Sequence, residues 1–232
     1  MPVVKNVVLV HGAWADGSSW SKIIPYLQAA GLSVSCVQLP LSDSDSDIAA
    51  ATRIINAQDG PVFLAGHSYG GYVITEAGVN PKVVGLGYVA AFAPDVGQTP
   101  AGIGAEFPAT PIFAGGIKPI DDGYLLLTPE GLAAHFAQDL SKEEIATMVA
   151  TQGATAGRVF QERPIKVAAW HDKPSWYIVA NEDGAIHPDE ERFHVKNIKA
   201  KSISLDSSHV PMLSKPKEVA EFMIAAIKEL SK

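Results

Sequence analysis

Short, almost uncharged apolar runs alternate along this chain with longer stretches whose apolar positions recur every three or four residues. The runs are Val7-Val8-Leu9-Val10, Pro61-Val62-Phe63-Leu64-Ala65, residues 81–92 and Ser175-Trp176-Tyr177-Ile178-Val179-Ala180, with residues 32–39 and 201–205 as more mixed strand candidates. Runs apolar at successive positions, rather than alternate ones, predict strands buried on both faces of a parallel sheet. Between them the spacing predicts helices over residues 18–31, 48–57, 190–197 and 216–230, and another opening at Gly71. The first should start on serine caps and stop at Gly31, with Pro25 kinking it. Strand and helix taking turns in this way give an α/β fold, its parallel strands joined by right-handed crossovers.

The rhythm breaks at Pro94. From about residue 94 to 173 the chain is punctuated by Pro94, Pro100, Pro108, Pro111 and Pro119, with helical patterns at 129–139 and 141–151. An insertion of this size is too long for an ordinary connection. It is expected to cap the carboxyl edge of the sheet, where open α/β sheets bind ligands. Phe113 and Tyr124 stand out there as candidates to line a substrate pocket. At 232 residues the whole chain fits one domain with the cap inserted in it.

Composition removes several function classes. A formal charge of −7 with no Lys/Arg cluster argues against a nucleic-acid partner. The single cysteine, Cys36, has no partner for an internal disulfide and no metal-ligand spacing, so it reads as a buried strand residue. Alternating aspartates in Ser42-Asp43-Ser44-Asp45-Ser46-Asp47 have the look of a calcium loop, but Ile48 and Ile54 stand where that loop needs Gly and Glu. The patch is expected to be a polar loop whose last Ser or Asp caps the helix over 48–57. No metal and no cofactor is called for. The first ten residues lack the basic segment of a leader, and no run approaches the roughly 18 apolar residues of a membrane span. The expectation is a soluble cytoplasmic protein of unspecified oligomeric state.

The chemistry gathers where strands end. Gly66-His67-Ser68-Tyr69-Gly70 follows an apolar run and precedes a helical pattern, the context in which G-x-S-x-G presents a nucleophilic serine. With 20 glycines in the chain the pentapeptide alone is weak, so its partners decide the matter. A serine hydroxyl needs a base and the base an orienting carboxylate. His209 and Asp183 both lie just past predicted strands, in the order Ser68, Asp183, His209; Glu182 and Asp206 are rival acids, Asp206 more suited to supporting its loop. His135, His171, His187 and His194 read as loop or helix-surface residues, and His11 and His67 flank glycine turns. An oxyanion hole would use the N–H of Tyr69, after the nucleophile, and of Ala13 in the loop after the first strand.

Together, Val8-Leu9-Val10-His11-Gly12-Ala13-Trp14, Gly66-His67-Ser68-Tyr69-Gly70-Gly71, Asn181-Glu182-Asp183 and Ser208-His209-Val210-Pro211 resemble the α/β-hydrolase superfamily. The likeness spans the chain and is nearest the small branch of bacterial esterases, plant methylesterases and hydroxynitrile lyases. It implies a serine hydrolase cleaving small, fairly apolar esters through an acyl-enzyme, with the roles given above, Gly12, Trp14 and Val210 in the pocket, and a small ester as sole partner. Two other readings stand beside it, a carbon–carbon lyase on the same triad and a small-ligand receptor. The lyases of this branch carry Thr in the first-strand loop and Lys directly after the histidine. Gly12 and Val210 occupy those places here, which favours the esterase, while Ser rather than Asp at position 68 sets aside haloalkane dehalogenases.

Overall fold

The computed structural model describes residues 3–232; Met1 and Pro2, part of the stretch read for a leader, lie outside the described residues. Six of its strands are β1 (Asn6–Val10), β2 (Ser33–Cys36), β3 (Val62–Ser68), β4 (Val83–Ala91), β8 (Ser175–Ala180) and β9 (Lys201–Leu205). They form one sheet in the order β2-β1-β3-β4-β8-β9, and every pair is parallel. Every residue of β1, β3 and β8 is buried, which is why these segments read as unbroken apolar runs. The strand order reverses beside β1 and β3, so the loops leaving their carboxyl ends open side by side into a crevice. Val10 pairs with Gly66, which brings His11–Trp14 against the serine turn.

Helices cover both faces, with boundaries that local chemistry explains. The stretch 18–31 is two pieces, a 3₁₀ turn Gly17–Trp20 and a helix Ile24–Ala29. Pro25 lies in the first turn of the second piece, where its missing N–H has no partner to lose, so it starts a helix instead of kinking one. The aspartate patch is a helix start, not a loop: the helix runs Ser44–Asn56. Asp43 caps it by accepting from Ser46 N at 2.8 Å, while Asp45 and Asp47 sit in the first turn, where the helix dipole favours negative charge. Cys36 ends β2 but is only half-buried, and desolvation pushes its thiol up to about 11, so it is a poor nucleophile.

Between β4 and β8 the chain builds a small antiparallel sheet from β5 (Ile117–Pro119), β6 (Tyr124–Leu127) and β7 (Thr155–Ala156). Strands of two to four residues are too short to show a period, so the sequence pattern did not signal them. The helix expected over 129–139 is a short turn Pro129–Gly131 followed by a π-helical segment Leu132–Phe136. Lys142–Thr151 is a regular helix opened by a capping box between Ser141 and Glu144. Trp14 fastens this insertion to the main sheet: its indole N–H donates to Leu125 O at 3.0 Å and its backbone N–H to Thr155 Oγ1 at 2.9 Å. On another side Arg163 forks onto Glu76 at 2.9 and 2.6 Å, and Ser208 N donates to Asp139 Oδ2 at 2.9 Å. Among the described residues no helix is long and apolar enough to cross a membrane.

Gly70 is where the helix Tyr69–Ala77 crosses β1 most closely. A Cβ there would lie 2.5 Å from Val10 O and 2.6 Å from His11 O, both backbone atoms that cannot swing aside. Gly70→Ala is expected to lower stability by about 3 kcal/mol or more in urea unfolding. Gly115→Ala, where an added Cβ meets nothing within 4 Å, should stay within about 0.5 kcal/mol of the native protein.

Candidate active site

Ser68 links β3 to the helix Tyr69–Ala77 with φ 54° and ψ −125°, a left-handed conformation that costs a non-glycine residue on the order of 1–3 kcal/mol. Its surroundings hold it there. The backbone turns so sharply that a Cβ on Gly66 would lie 2.4 Å from Gly70 O. On the neighbouring strand the register skips from His67↔Val89 to Ser68↔Ala91, leaving Ala90 as a bulge with φ 43°. The Tyr177 hydroxyl satisfies both groups that the bulge exposes, accepting from Ala91 N at 3.0 Å and donating to Ala91 O at 2.5 Å. Phe92 N then donates to Ser68 O at 3.2 Å. A strained residue is thus enclosed by a fully bonded frame.

The loops after β8 and β9 bring Asp183 and His209 together, with His209 Nδ1 2.5 Å from Asp183 Oδ2 and both side chains buried. The other oxygen of Asp183 accepts from Ala185 N at 2.6 Å and Ile186 N at 2.9 Å, so three donors converge on one carboxylate. His209 Nε2 is buried and has no hydrogen-bond partner, and so Ser68 Oγ does not bond to it in this structure. His67 clamps the base loop to the serine turn. Its ring lies 4.7 Å from that of His209, and its Nε2–H donates to His209 O at 2.7 Å. Burial, with His209 as second cause, holds the His67 imidazole well below its ordinary range, so it remains neutral. The rival acids are elsewhere: Asp206 Oδ1 accepts from Asn181 Nδ2 at 2.8 Å, and Glu182 is exposed.

Several buried polar groups carry no sequence signal. Glu191 is fully buried behind Asp183; its Oε2 accepts from Ala180 N at 3.1 Å, and Oε1 has no partner. Burial first, and the Asp183 charge second, push this carboxyl well above its usual range, so Glu191 is a neutral acid beside the acceptor of three N–H groups. Asp47 accepts from Tyr69 Oη and from Leu41 N, each at 2.8 Å. His11 accepts from Leu39 N through Nε2 at 2.9 Å, which fixes its Nδ1–H to donate to Gly12 O at 2.8 Å. With Trp14 N taken by Thr155, the Ala13 N–H is paired with no acceptor among the described residues. Gly12 has no room for a side chain, since a Cβ there would lie 2.7 Å from Ser68 Cβ.

The family model for the alpha/beta hydrolases matches residues 7–222. The chain belongs to the alpha/beta hydrolase family. It is 26% identical to Methylesterase 7 of Arabidopsis thaliana over 95% of each chain. Among solved structures it resembles a pyrethroid hydrolase from Sphingobium faniae JZ-2, with a TM-score of 0.84, 26% identity and coverage of 97% and 98% of the two chains. Polyneuridine aldehyde esterase superposes with a TM-score of 0.83 at 21% identity, covering 97% of this chain and 99% of that one, and shares the fold.

In this hydrolase aromatic rings gather around Trp14 and reach the base. Trp14 packs against Phe160, Phe136 and Phe113 at centroid distances of 5.7, 6.4 and 6.5 Å, and Phe136 meets the His209 ring edge-on at 4.6 Å. Two cavities flank this cluster. One of about 350 Å³ is lined by Phe92, Phe107, Phe113, Phe160 and Glu190; the other, of about 320 Å³, lies against Trp14, Leu140, Met148 and Leu213. Of the expected pocket residues, Phe113 and Trp14 line one cavity each, Gly12 abuts Ser68, and Val210 is buried directly after His209. Tyr124 sits half-buried in β6 and lines neither. Ser68 is only 7% exposed and also lines neither.

Burial pushes the Asp47 carboxyl up to about 6, against hydrogen bonds that pull it down. A carboxyl raised in the fold stabilises it fully below the unfolded pKa, and that contribution is lost as pH rises through the folded value. From the shift, the loss is at most about 3 kcal/mol. Asp47→Asn keeps an acceptor for Leu41 N and presents an N–H₂ to the Tyr69 oxygen. Urea unfolding should therefore show the variant gaining on the native protein mainly between about pH 4 and pH 6, with little further change above about pH 7.

Proposed function

We propose that this chain is a carboxylesterase-type serine hydrolase acting on small, fairly apolar esters. The observation that carries the reading is the buried His209–Asp183 pair, whose Nε2 is free and whose ring lies 4.7 Å from that of His67, the residue before the strained Ser68. With Nδ1 bonded to Asp183, Nε2 is the nitrogen left to take the Ser68 proton. Ser68 Oγ then attacks the ester carbonyl, and the oxygen that gains charge is received by the N–H groups of Ala13 and Tyr69. Tyr69 opens the helix, where unpaired N–H groups favour that anion. Collapse expels the alcohol, which takes the proton from His209, and leaves an acyl group on Ser68. Water, activated by the same nitrogen, releases the acid. Glu191, being neutral, adds no second charge to oppose the one Asp183 holds against the imidazolium.

The relatives above are a methylesterase and a pyrethroid hydrolase, which supports this class over a receptor. The lyase reading loses ground twice. Val210 supplies no cation for a departing cyanide, and an uncompensated anion in an apolar surround is heavily penalised. The threonine of the lyases has no place at Gly12, because its Cβ would overlap Ser68. Converting this chain by Gly12→Thr and Val210→Lys would thus displace the nucleophile itself.

Ser68→Ala should abolish hydrolysis of p-nitrophenyl esters to within roughly 10³–10⁴ of the uncatalysed rate. A fluorophosphonate probe should label the native protein at Ser68 alone; label elsewhere, or turnover surviving the change, would overturn the nucleophile. Asp183→Asn is expected to cut kcat by about 10⁴ with the melting curve little changed, while Asp206→Asn costs at most a few-fold. A reversed ranking of those two variants would move the acid to Asp206.

A further inference from the structure

The helix Pro188–Asn197 turns three titratable side chains inward on one face, Glu190, Glu191 and His194, all buried. Glu191 faces Asp183. Glu190 lines the 350 Å³ cavity, where the other lining residues are almost all apolar. The exception, Thr110, has its hydroxyl bonded to Ala185 O at 3.1 Å. Glu190 is 3% exposed, and its Oε1 has no hydrogen-bond partner. His194 Nε2 lies 3.7 Å from that oxygen, too far for a hydrogen bond, and neither nitrogen of the ring is bonded. No Lys or Arg lines the cavity. Across from Glu190 the wall is Gly104, where a Cβ would stand 3.8 and 3.9 Å from the two carboxylate oxygens. The absence of a side chain there leaves space directly over the carboxylate.

A buried carboxylate oxygen without a donor costs several kcal/mol unless a bound group supplies one. Behind it lies the Asp183 carboxylate, with Glu191 held neutral between them, so the local field favours positive charge over a neutral donor. The walls set the rest of the ligand: Phe92, Phe107, Phe113 and Phe160 offer ring faces and edges to an apolar body. Phe92 also connects this space to the reaction centre, through its bond to Ser68 O.

The geometry points to a cation subsite: Glu190 anchors a protonated amine carried on an apolar body, with Gly104 leaving room for the nitrogen. Resting on the esterase reading, this narrows the substrate class to apolar esters that bear a basic nitrogen away from the scissile bond. Nothing in the triad requires such a nitrogen. It is a selectivity imposed by the cavity beside it.

The test reads binding, so it does not depend on turnover. 4-Phenylbutylamine and 4-phenylbutanol have nearly the same shape, and only the first is charged at neutral pH. Calorimetric titration of the native protein should give the amine at least about 10-fold tighter binding than the alcohol. In Glu190→Gln that ratio should fall toward one, and the ratio within a single preparation is insensitive to partial loss of folded protein. Gly104→Ala provides the second variant. Its added methyl makes only ordinary contacts with Glu190 yet occupies the proposed nitrogen position, and it should weaken the amine more than the alcohol. Equal binding of the two ligands to the native protein, or a ratio unchanged in both variants, would overturn the subsite. Loss of ester turnover alongside an intact amine preference would count against the esterase instead.

Discussion

The crossing of two backbones at Ser68 is the constraint on which the rest of this hydrolase depends. A serine held at positive φ is tolerated only if everything around it forbids relaxation. That condition accounts for features far apart in sequence: glycine at 66 and 70 where chain meets chain, the bulge at Ala90, and a tyrosine from β8 whose hydroxyl closes the bulge. His67 extends the same frame to the base loop by bonding to His209 O. The strain and its containment share a purpose. They put a hydroxyl at a strand end, next to the first N–H of a helix, with no side chain between it and the neighbouring loop.

Charge is arranged around that frame with equal economy. Helix 188–197 places Glu191 against Asp183 and Glu190 toward a cavity, and burial makes the two environments differ. Next to Asp183, which already receives three N–H donors, a second carboxylate anion would be repelled, so Glu191 is held neutral. Glu190 meets no hydrogen-bond donor at Oε1: His194 Nε2 stands 3.7 Å away, and the rest of its surroundings are apolar walls and a gap over Gly104. Adjacent residues of one type thus do opposite work, one as a silent neighbour of the acid, the other as an unmet demand for positive charge.

What could be read from the sequence divides along the range of the interactions involved. Strands β1, β3, β4 and β8 were legible because a strand buried on both faces is apolar at every position, a purely local mark. Ser68, Asp183 and His209 drew attention because each follows such a run, and the structure brings Asp183 and His209 into contact. The first turn of the Ser44–Asn56 helix was not, because alternating Ser and Asp look equally like a loop until Asp43 is seen to cap Ser46 N. The β5–β7 sheet was invisible, its strands being shorter than any period. His194 was misplaced on the surface, and Asp47, Glu190 and Glu191 passed unnoticed. Their burial is decided by what packs over them from distant parts of the chain, and a polar residue in a polar-looking helix gives no local sign of it.

The burial that makes the site work also closes it. Ser68 is nearly occluded, and neither large cavity touches it. In the proposed mechanism that burial places the Ala13 and Tyr69 N–H groups and the free His209 nitrogen in a low-dielectric surround, where each would act more strongly on a developing charge. An ester must still reach the serine. Phe136 meets the His209 ring edge-on, and Phe160 packs against both Trp14 and Tyr69. Both phenylalanines come from the segment between β4 and β8, which is joined to the rest of the chain by Trp14, by Arg163 on Glu76 and by Asp139 on Ser208 N. The main sheet is fixed by the serine turn, since displacing β1 or β3 would unmake it.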